Sequence, residues 1–197
     1  MKTILLLLII SFQTLASENK YIFENIYLGG GNWFENFKAV QTDAKGNTDD
    51  FEVAPFFSVA MDYKYRPKWY LAPEIGWVVS RKANSSRISK NLFFIRTDIA
   101  YNYTDKFKLK AGTSLMILNI SGDGGEEKLP NGDGQDTYFL PSERRTALNQ
   151  TLDFGLEYLF DKVALRGNAY IYAFIDSEER MVTYSLSLHY KLALDSL

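Results

Sequence analysis

A serine and the only histidine of this chain, Ser187 and His189, stand two positions apart. A serine activated by a histidine, with a carboxylate such as Asp153 or Glu157 to orient the ring, is the arrangement that esterases use. The alternation of this segment turns His189 toward its polar face, and a histidine hydrogen-bonded inside the fold is the simpler interpretation. We therefore predict no catalytic residue and no enzymatic activity.

Segment 121–148 is the second place with binding chemistry, because carboxylates and glycines are interspersed there. Oxygen ligands on a flexible segment can hold calcium, but their spacing does not match the EF-hand pattern. The run 131–134 (Asn-Gly-Asp-Gly) is more simply typical of turns. We predict no metal and no cofactor, and expect the segment to bind a partner because of its length. The carboxylates are Asp123, Glu126, Glu127, Asp133 and Asp136.

Composition excludes several classes of site. The 197 residues suit one domain, and a formal net charge of −2 gives no reason to expect nucleic acid as a partner. With no cysteine, the chain has no disulfide and no thiolate metal site. The unusual figure is the aromatic content of 15%, which a modest soluble domain does not explain.

The first residues have the pattern of a targeting segment. Lys2 precedes a short apolar run over 4–10, and small residues follow. This predicts a secretory signal peptide over 1–16, cleaved after Ala16 or, as a second choice, after Ser17. The run is shorter than the ~20 residues of a spanning helix, and no apolar stretch of that length follows in 17–197.

Alternation of apolar and polar residues with period two is the dominant pattern of the rest of the chain. Pro55 and Pro73 fall inside alternating segments and predict a bulge at each, because proline lacks the amide donor of the ladder. The faces of the first segment cannot be assigned, since it contains Gly29-Gly30-Gly31. Eight strands are predicted, over 24–34, 51–65, 69–80, 91–103, 107–118, 151–160, 163–175 and 182–192.

The connections alternate in length. Short turns at 66–68, 104–106 and 161–162 stand against longer polar segments such as 35–50 and 121–148. This alternation is typical of up-and-down barrels that cross an outer membrane. The predicted fold class is all-β: an eight-stranded antiparallel up-and-down transmembrane β-barrel.

Aromatic residues gather within a few positions of the short turns. Tryptophan and tyrosine favour the membrane–water interface, where the ring body is buried and its polar edge is wet. We predict that they form an interfacial girdle at one end of the barrel, made of Tyr63, Tyr65, Trp69, Tyr101, Tyr103, Phe107, Tyr158, Phe160 and Tyr190.

The inward face carries the charges. A barrel of eight strands is just wide enough for its own side chains, and buried charges must be paired. We predict a closed network of ion pairs, with Tyr170, Tyr172 and Phe174 as a plug of its outer part. The predicted network consists of Glu52, Asp62, Lys64, Glu74, Arg96, Asp98, Lys108, Lys110, Asp153, Glu157, Arg166, His189 and Lys191.

The signal peptide, the eight strands and the last strand, with its pattern Tyr184-x-Leu186-x-Leu188-x-Tyr190, resemble the small outer-membrane β-barrels of Gram-negative bacteria. This OmpA-domain and OmpX-like group is similar over 21–192. The resemblance implies location in the bacterial outer membrane and a structural or surface-interaction role. Expected partners are membrane lipid, lipopolysaccharide phosphates, and a protein bound through loops 35–50 and 121–148. Arg144 and Arg145 are candidates for those phosphates.

Three alternatives stay open. A lipid-modifying enzyme similar to the lipid A deacylase barrels needs a nucleophile and a base on the lipid face, and Ser187-x-His189 reverses the His-x-Ser order of that family. A narrow pore is a variant of the closed barrel. A soluble secreted barrel for a small apolar ligand needs an apolar lumen, which the inward charges oppose.

Overall fold

In the computed structural model, residues 22–35, 52–82, 87–130, 134–176 and 180–192 are described. The predicted signal peptide over 1–16 lies outside these residues. Among the described residues, no helix is long and apolar enough to cross a membrane. The strands are β1 (Ile22–Glu35), β2 (Glu52–Arg66), β3 (Trp69–Lys82), β4 (Ile88–Asn102), β5 (Phe107–Gly122), β6 (Glu126–Pro130), β7 (Gln135–Phe139), β8 (Arg145–Phe160), β9 (Val163–Tyr172) and β10 (Met181–Leu192).

Eight of these strands close into one barrel. Their order is β1-β10-β9-β8-β5-β4-β3-β2, and every neighbouring pair is antiparallel. The pairing of β1 with β10 completes the ring. The predicted fold class is confirmed, and each predicted segment corresponds to one barrel strand.

The remaining two strands form a hairpin inside the predicted 121–148 loop. β6 and β7 pair only with each other, and they join β5 and β8 through a short ladder. There the Gly124 amide donates to the Pro141 carbonyl at 3.1 Å and the Leu140 amide donates to the Gly125 carbonyl at 2.9 Å. Gly124 and Gly125 both have positive φ, which glycine adopts at little cost. Five-residue strands flanked by glycines read as loop in the sequence, so the hairpin was not predicted.

The predicted bulges at Pro55 and Pro73 are wrong. Pro55 pairs in continuous register with Asn32, and Pro73 does so with Thr97. A proline lacks one donor, which interrupts the ladder on a single side and need not insert a residue. The register shifts lie elsewhere, between Phe23 and Asn25, between Lys64 and Arg66, and between Val78 and Arg81.

β9 also ends earlier than predicted, at Tyr172. Ala173 has φ 45° and begins a turn in which the Asp176 amide donates to its carbonyl at 2.9 Å. Phe174 therefore lies in this turn and is only half-buried.

The two faces of the barrel have reversed polarity compared with a soluble domain. Strand after strand exposes large apolar side chains outward and buries polar ones inward. On β4, for example, Ile95 and Ile99 are half exposed, whereas Arg96 and Asp98 between them are fully buried. We call the end with the short connections 67–68, 103–106 and 161–162 the turn end, and the opposite end the loop end.

Inward glycines make room for large side chains on the facing strand. Gly29 pairs directly with His189, and a Cβ at Gly29 would overlap the buried imidazole. Gly155 likewise leaves space for Asn168 and Arg96. The sizes of opposed lumen residues are thus matched, as in any close-packed interior.

We predict that Gly29→Val destabilises the barrel by about 1–3 kcal/mol, because the added methyl groups overlap the His189 ring. The matched control is Gly167→Ala, where an added Cβ meets no atom within 4 Å. That change should alter the free energy of unfolding by less than about 0.5 kcal/mol. Urea unfolding of the detergent-folded protein, followed by tryptophan fluorescence, measures both. Equal losses at the two positions would contradict this account of the lumen.

Candidate functional site

The barrel lumen is a continuous stack of buried charged side chains. The alternation of β2, β3, β4, β5, β8, β9 and β10 turns every second residue inward, which brings together groups far apart in sequence. Those found buried in the lumen are Asp62, Glu74, Arg96, Asp98, Lys108, Lys110, Asp153, Glu157, Arg166 and His189.

Three residues of the predicted network lie apart from this stack. Lys64 is partly exposed at the turn end, where its ammonium lies 3.2 Å from Glu24 Oε1. Lys191 is half-buried on β10 at the same end. The side chain of Glu52 lies outside the described residues.

The first layer of the stack, at the turn end, is centred on one lysine. Lys108 Nζ lies 2.5 Å from Asp62 Oδ2 and 3.2 Å from Glu157 Oε1. The Tyr27 hydroxyl donates to Asp62 Oδ2 at 3.2 Å. The ammonium also lies 5.1 Å from the ring centroid of Tyr70, within cation–π range. This lysine is thus neutralised by two carboxylates and covered by aromatic rings.

Arg166 forms the second layer and links it to the first. Its Nε donates to Glu157 Oε2 at 2.7 Å, and its Nη1 lies 3.7 Å from Glu74 Oε2. The guanidinium carbon lies 4.6 Å from the centroid of the Tyr27 ring. Glu157 therefore bridges Arg166 and Lys108, one oxygen to each.

His189 sits in this second layer beside Ser187, but its hydrogen bonds are not those of a catalytic base. Arg166 Nη1 lies 3.1 Å from His189 Nδ1, and arginine can only donate. This interaction places the ring proton on Nε2, which then donates to Ser187 Oγ at 3.0 Å. A base for Ser187 needs a free lone pair on that nitrogen. Ser187 and His189 are both buried in the lumen, and their hydrogen bonds hold β9 and β10 side chains together instead of activating the serine.

The third layer surrounds Arg96. Its Nη2 lies 2.7 Å from Asp98 Oδ2, and its Nε lies 3.7 Å from Asp153 Oδ2. Lys110 Nζ lies 3.6 Å from the same oxygen of Asp98. Asp153 also accepts hydrogen bonds from the hydroxyls of Thr151, at 2.6 Å, and Ser114. Hydroxyl donors complete the solvation of Asp153, since its arginine is more distant.

An aromatic layer closes the lumen above the charges, toward the loop end. The Trp33 ring lies 4.5 Å from Tyr170 and 5.6 Å from Phe94, centroid to centroid. Phe56 packs edge-on against Phe94 at 6.0 Å. Trp33 is 0% exposed, so the layer leaves no gap around its centre. Met116, Val78 and Leu92 belong to the same cluster.

The predicted plug matches this layer only in part. Tyr170 belongs to it, Tyr172 packs against its side, and Phe174 lies in the β9–β10 turn. Trp33, Phe56 and Phe94 were not predicted. The sequence did contain a sign of the two phenylalanines: each is a large apolar residue on a strand face whose other residues are mostly small or charged.

Above the aromatic layer lies one further ion pair, between Lys90 Nζ and Glu35 Oε2 at 3.0 Å. Both side chains are largely buried. Neither was predicted, because both lie at the ends of strands that extend further than the alternation indicated.

The predicted girdle residues lie at the turn end, on the outside of the barrel. Ring centroids lie 4.8 Å apart for Trp69 and Tyr101, and 4.6 Å apart for Tyr158 and Phe160. Phe23, which was not predicted, stacks on Tyr63 at 5.3 Å. The remaining members are Tyr65, Tyr103, Phe107 and Tyr190, all at least partly exposed.

A row of polar side chains marks the opposite limit of the apolar exterior. Asn119 Nδ2 donates to Asn91 Oδ1 at 3.3 Å, and the Thr146 hydroxyl donates to Asn119 Oδ1 at 2.8 Å. The row crosses β4, β5 and β8 on the outward face, directly above Phe93 and Leu148.

The described carboxylates of 121–148 do not converge on an ion site. Over the parts of the chain that the structure describes, no three histidine or carboxylate side chains are placed to hold a metal. Asp133 lies outside those parts. Arg87 instead binds the loop's backbone, donating to the carbonyls of Gly124 at 2.6 Å and Glu126 at 3.2 Å.

Comparisons with known proteins find similarity of fold only. No family model and no curated sequence matches the chain. Ail, the attachment invasion locus protein of Yersinia pestis, is 9% identical, with 87% of this chain and 100% of that one covered at a TM-score of 0.48. Neisserial surface protein A is 12% identical (85% and 96% covered, TM-score 0.45). OprG of Pseudomonas aeruginosa is 8% identical (85% and 95% covered, TM-score 0.49).

The strand register of the chain itself defines a closed barrel of eight strands. The predicted resemblance to small eight-stranded outer-membrane barrels is therefore confirmed at the level of fold.

We predict that Arg166→Met costs about 3–5 kcal/mol, because it leaves Glu74 buried without its arginine and Glu157 paired with Lys108 alone. The double variant Arg166→Met/Glu157→Leu should lose less than the sum of the two single variants, since it removes both charges of one pair. Lys64→Met, which breaks the exposed pair with Glu24, should leave the unfolding midpoint unchanged. Urea unfolding in detergent measures all four proteins. Additive losses in the double variant would show that the two charges do not interact.

Proposed function

We propose that this chain is a small bacterial outer-membrane β-barrel with a closed, charge-paired lumen, and that it serves a structural or surface-interaction role at its loop end. The observation that carries the proposal is the reversed polarity of the barrel, with apolar side chains outside and charges inside. Monomeric soluble proteins rarely expose apolar surface on this scale.

The height of the apolar band on the outside of the barrel supports a position in a lipid bilayer. From Phe93 to Tyr101 the outward residues of β4 are apolar except Thr97, and eight residue steps cover about 26 Å along the strand. A strand tilt of about 40° leaves roughly 20 Å along the barrel axis, near the ~25 Å apolar band of outer-membrane barrels. The girdle bounds this band at the turn end, and the Asn91–Asn119–Thr146 row bounds it at the loop end.

The loop end is then the side that faces the surroundings of the cell. It carries the β6–β7 hairpin and the exposed Arg144 and Arg145, which are suited to the phosphates of lipopolysaccharide. Phe139 and Ile175 are more than 80% exposed there, beyond the polar row. Large exposed apolar residues outside the bilayer favour contact with another molecule.

The two membrane alternatives receive less support. A lipid-modifying enzyme needs its nucleophile on the lipid face, but Ser187 and His189 are buried in the lumen and the Nε2 proton points at the serine. A pore needs a water path, but Trp33 and its aromatic neighbours fill the section above Arg96.

We predict that Ile95→Arg destabilises the barrel in lipid vesicles by about 2–4 kcal/mol, because this outward residue lies near the middle of the apolar band. The control Thr137→Arg, at an exposed position of the hairpin, should change nothing. Equilibrium unfolding in vesicles measures both. A soluble barrel would tolerate or benefit from an arginine at this exposed position. Membrane insertion would be refuted if the variant were as stable as the wild type or more stable, and if the wild-type protein stayed in solution without detergent.

We also predict that the wild-type protein forms no channels in a planar lipid bilayer, because the charge layers and the Trp33 layer fill the lumen. Single-channel recording of protein inserted from detergent tests this, with the heat-unfolded protein as the control for leakage. Reproducible unitary conductance steps seen only with folded protein would establish the narrow pore instead.

A further inference from the structure

The barrel has unequal strand heights, and β8 stands above its neighbour. β8 pairs with β5 along its whole length, from Arg145 opposite Ile120 to Tyr158 opposite Phe107. On its other side, the ladder with β9 starts only at Thr151, opposite Tyr172. Within the described residues, segment 145–150 therefore has a hydrogen-bonded neighbour on one side alone. We call this segment the β8 edge.

The end of β9 is fixed, so this strand does not extend along the β8 edge. Ala173 turns the chain with φ 45°, the Asp176 amide donates back to it, and Arg180 Nη2 donates to the Phe174 carbonyl at 3.2 Å. β10 begins directly afterwards, at Met181 opposite Tyr172. The ladders that β9 forms with β8 and β10 thus both end at Tyr172, below the β8 edge.

The β8 edge lacks the devices that proteins use to block strand edges. All six side chains of 145–150 are exposed, and the segment contains no proline, no bulge and one charge, Arg145. Natural edges are usually protected by prolines, bulges or lysines. The β6–β7 ribbon, by contrast, carries Glu126, Lys128 and Asp136 on strands of five residues.

The mouth of the lumen at the loop end forms a cleft beside the β8 edge, and Leu92 of β4 and Thr183 of β10 line it as well. Its volume is about 620 Å³, and Leu148, Asn149 and Gln150 form one wall. Leu118 and Tyr172 line its inner side, and both pack on the aromatic layer below. The cleft thus offers apolar contacts to a side chain that points inward from a strand lying along the edge.

We propose that the β8 edge binds an extended segment of a partner polypeptide by strand addition, a mode that deepens the surface-interaction role proposed above and rests on it. Six edge residues span about 20 Å and present about three amides and three carbonyls to the added strand. Backbone hydrogen bonds supply the affinity in this mode, and alternate side chains supply the specificity.

The surroundings define the chemistry of the added strand. Its inward side chain is apolar, because Leu118 and Tyr172 lie beneath it. An acidic residue stands at the end next to Arg144 and Arg145, which are both exposed. Its outward side chains change in character along the edge. They are apolar beside Leu148, which belongs to the apolar exterior, and polar beside Thr146, where the row of Asn119 and Asn91 marks the limit of that exterior.

The test uses the full chain folded in detergent and a fluorescein-labelled eight-residue peptide of alternating valine and threonine with a terminal glutamate. We expect saturable binding by fluorescence anisotropy, and at least a tenfold slowing of amide hydrogen exchange within 145–150 when the peptide is bound. A second peptide with N-methyl groups on alternate residues keeps the side chains but loses the edge donors, and it should not bind. Ala147→Lys should weaken binding at least tenfold, whereas Ser142→Lys, which adds the same charge just outside the edge, should not.

Three results would overturn the proposal: no saturable binding, equal binding of the methylated peptide, or amides of 145–150 that are already protected in the free protein. In the last case another strand already covers the edge. Native mass spectrometry then shows whether that strand comes from a second copy, which would give a dimer, or from another segment of the same chain, which would give a monomer. Folding is monitored by the change in gel mobility on boiling. A barrel with normal heat-dependent mobility and no peptide binding would refute strand addition while leaving the membrane-barrel function intact.

Discussion

The structure depends on one constraint: charged side chains that are buried in the lumen must satisfy one another. The charge stack below the aromatic layer holds five described carboxylates (Asp62, Glu74, Asp98, Asp153, Glu157) and four cations (Arg96, Lys108, Lys110, Arg166). Sharing solves most of the imbalance, because three of the cations each serve two carboxylates. Lys108 lies between Asp62 and Glu157, Arg166 between Glu157 and Glu74, and Arg96 between Asp98 and Asp153. Asp153 is solvated mainly by the hydroxyls of Thr151 and Ser114. Since desolvation makes each unpaired charge costly, no member can be changed alone without a loss.

The same constraint explains how much of the barrel could be predicted from the sequence. Charged residues alternate with apolar ones along the strands, and only one arrangement of the strands brings the charges together. The strands and most lumen residues could therefore be predicted from this alternation. The prediction failed where the residues do not alternate between apolar and polar. The run Gly29-Gly30-Gly31 hid the faces of β1, and with them Tyr27 and Trp33. Phe56 and Phe94 broke the pattern because the lumen changes from polar to aromatic along its axis, which a two-letter pattern cannot represent.

His189 illustrates why residue types alone do not define a site. The sequence places a serine two positions away and carboxylates within reach, but the reactive arrangement depends on which nitrogen keeps its lone pair. Arg166 occupies Nδ1, and this one neighbour assigns the proton to Nε2 and removes the base. The neighbour comes from β9 through the register with β10. The spacing of Ser187 and His189 does not contain that information, since it arises from the register in which β9 and β10 pair.

Closure also determines where the barrel is free to interact. Among the described residues, the ring of paired strands has no open edge and the charge and aromatic layers fill the middle of the lumen, so both usual binding surfaces of a barrel contribute mainly to stability. Only strands that extend beyond the ring escape this restriction. β9 stops at Tyr172, whereas β8 begins six residues higher, and the difference in height creates an unpaired backbone next to an apolar cleft. The early turn at Ala173, which sequence alternation did not predict, is therefore the local event that leaves the β8 edge with a neighbour on one side.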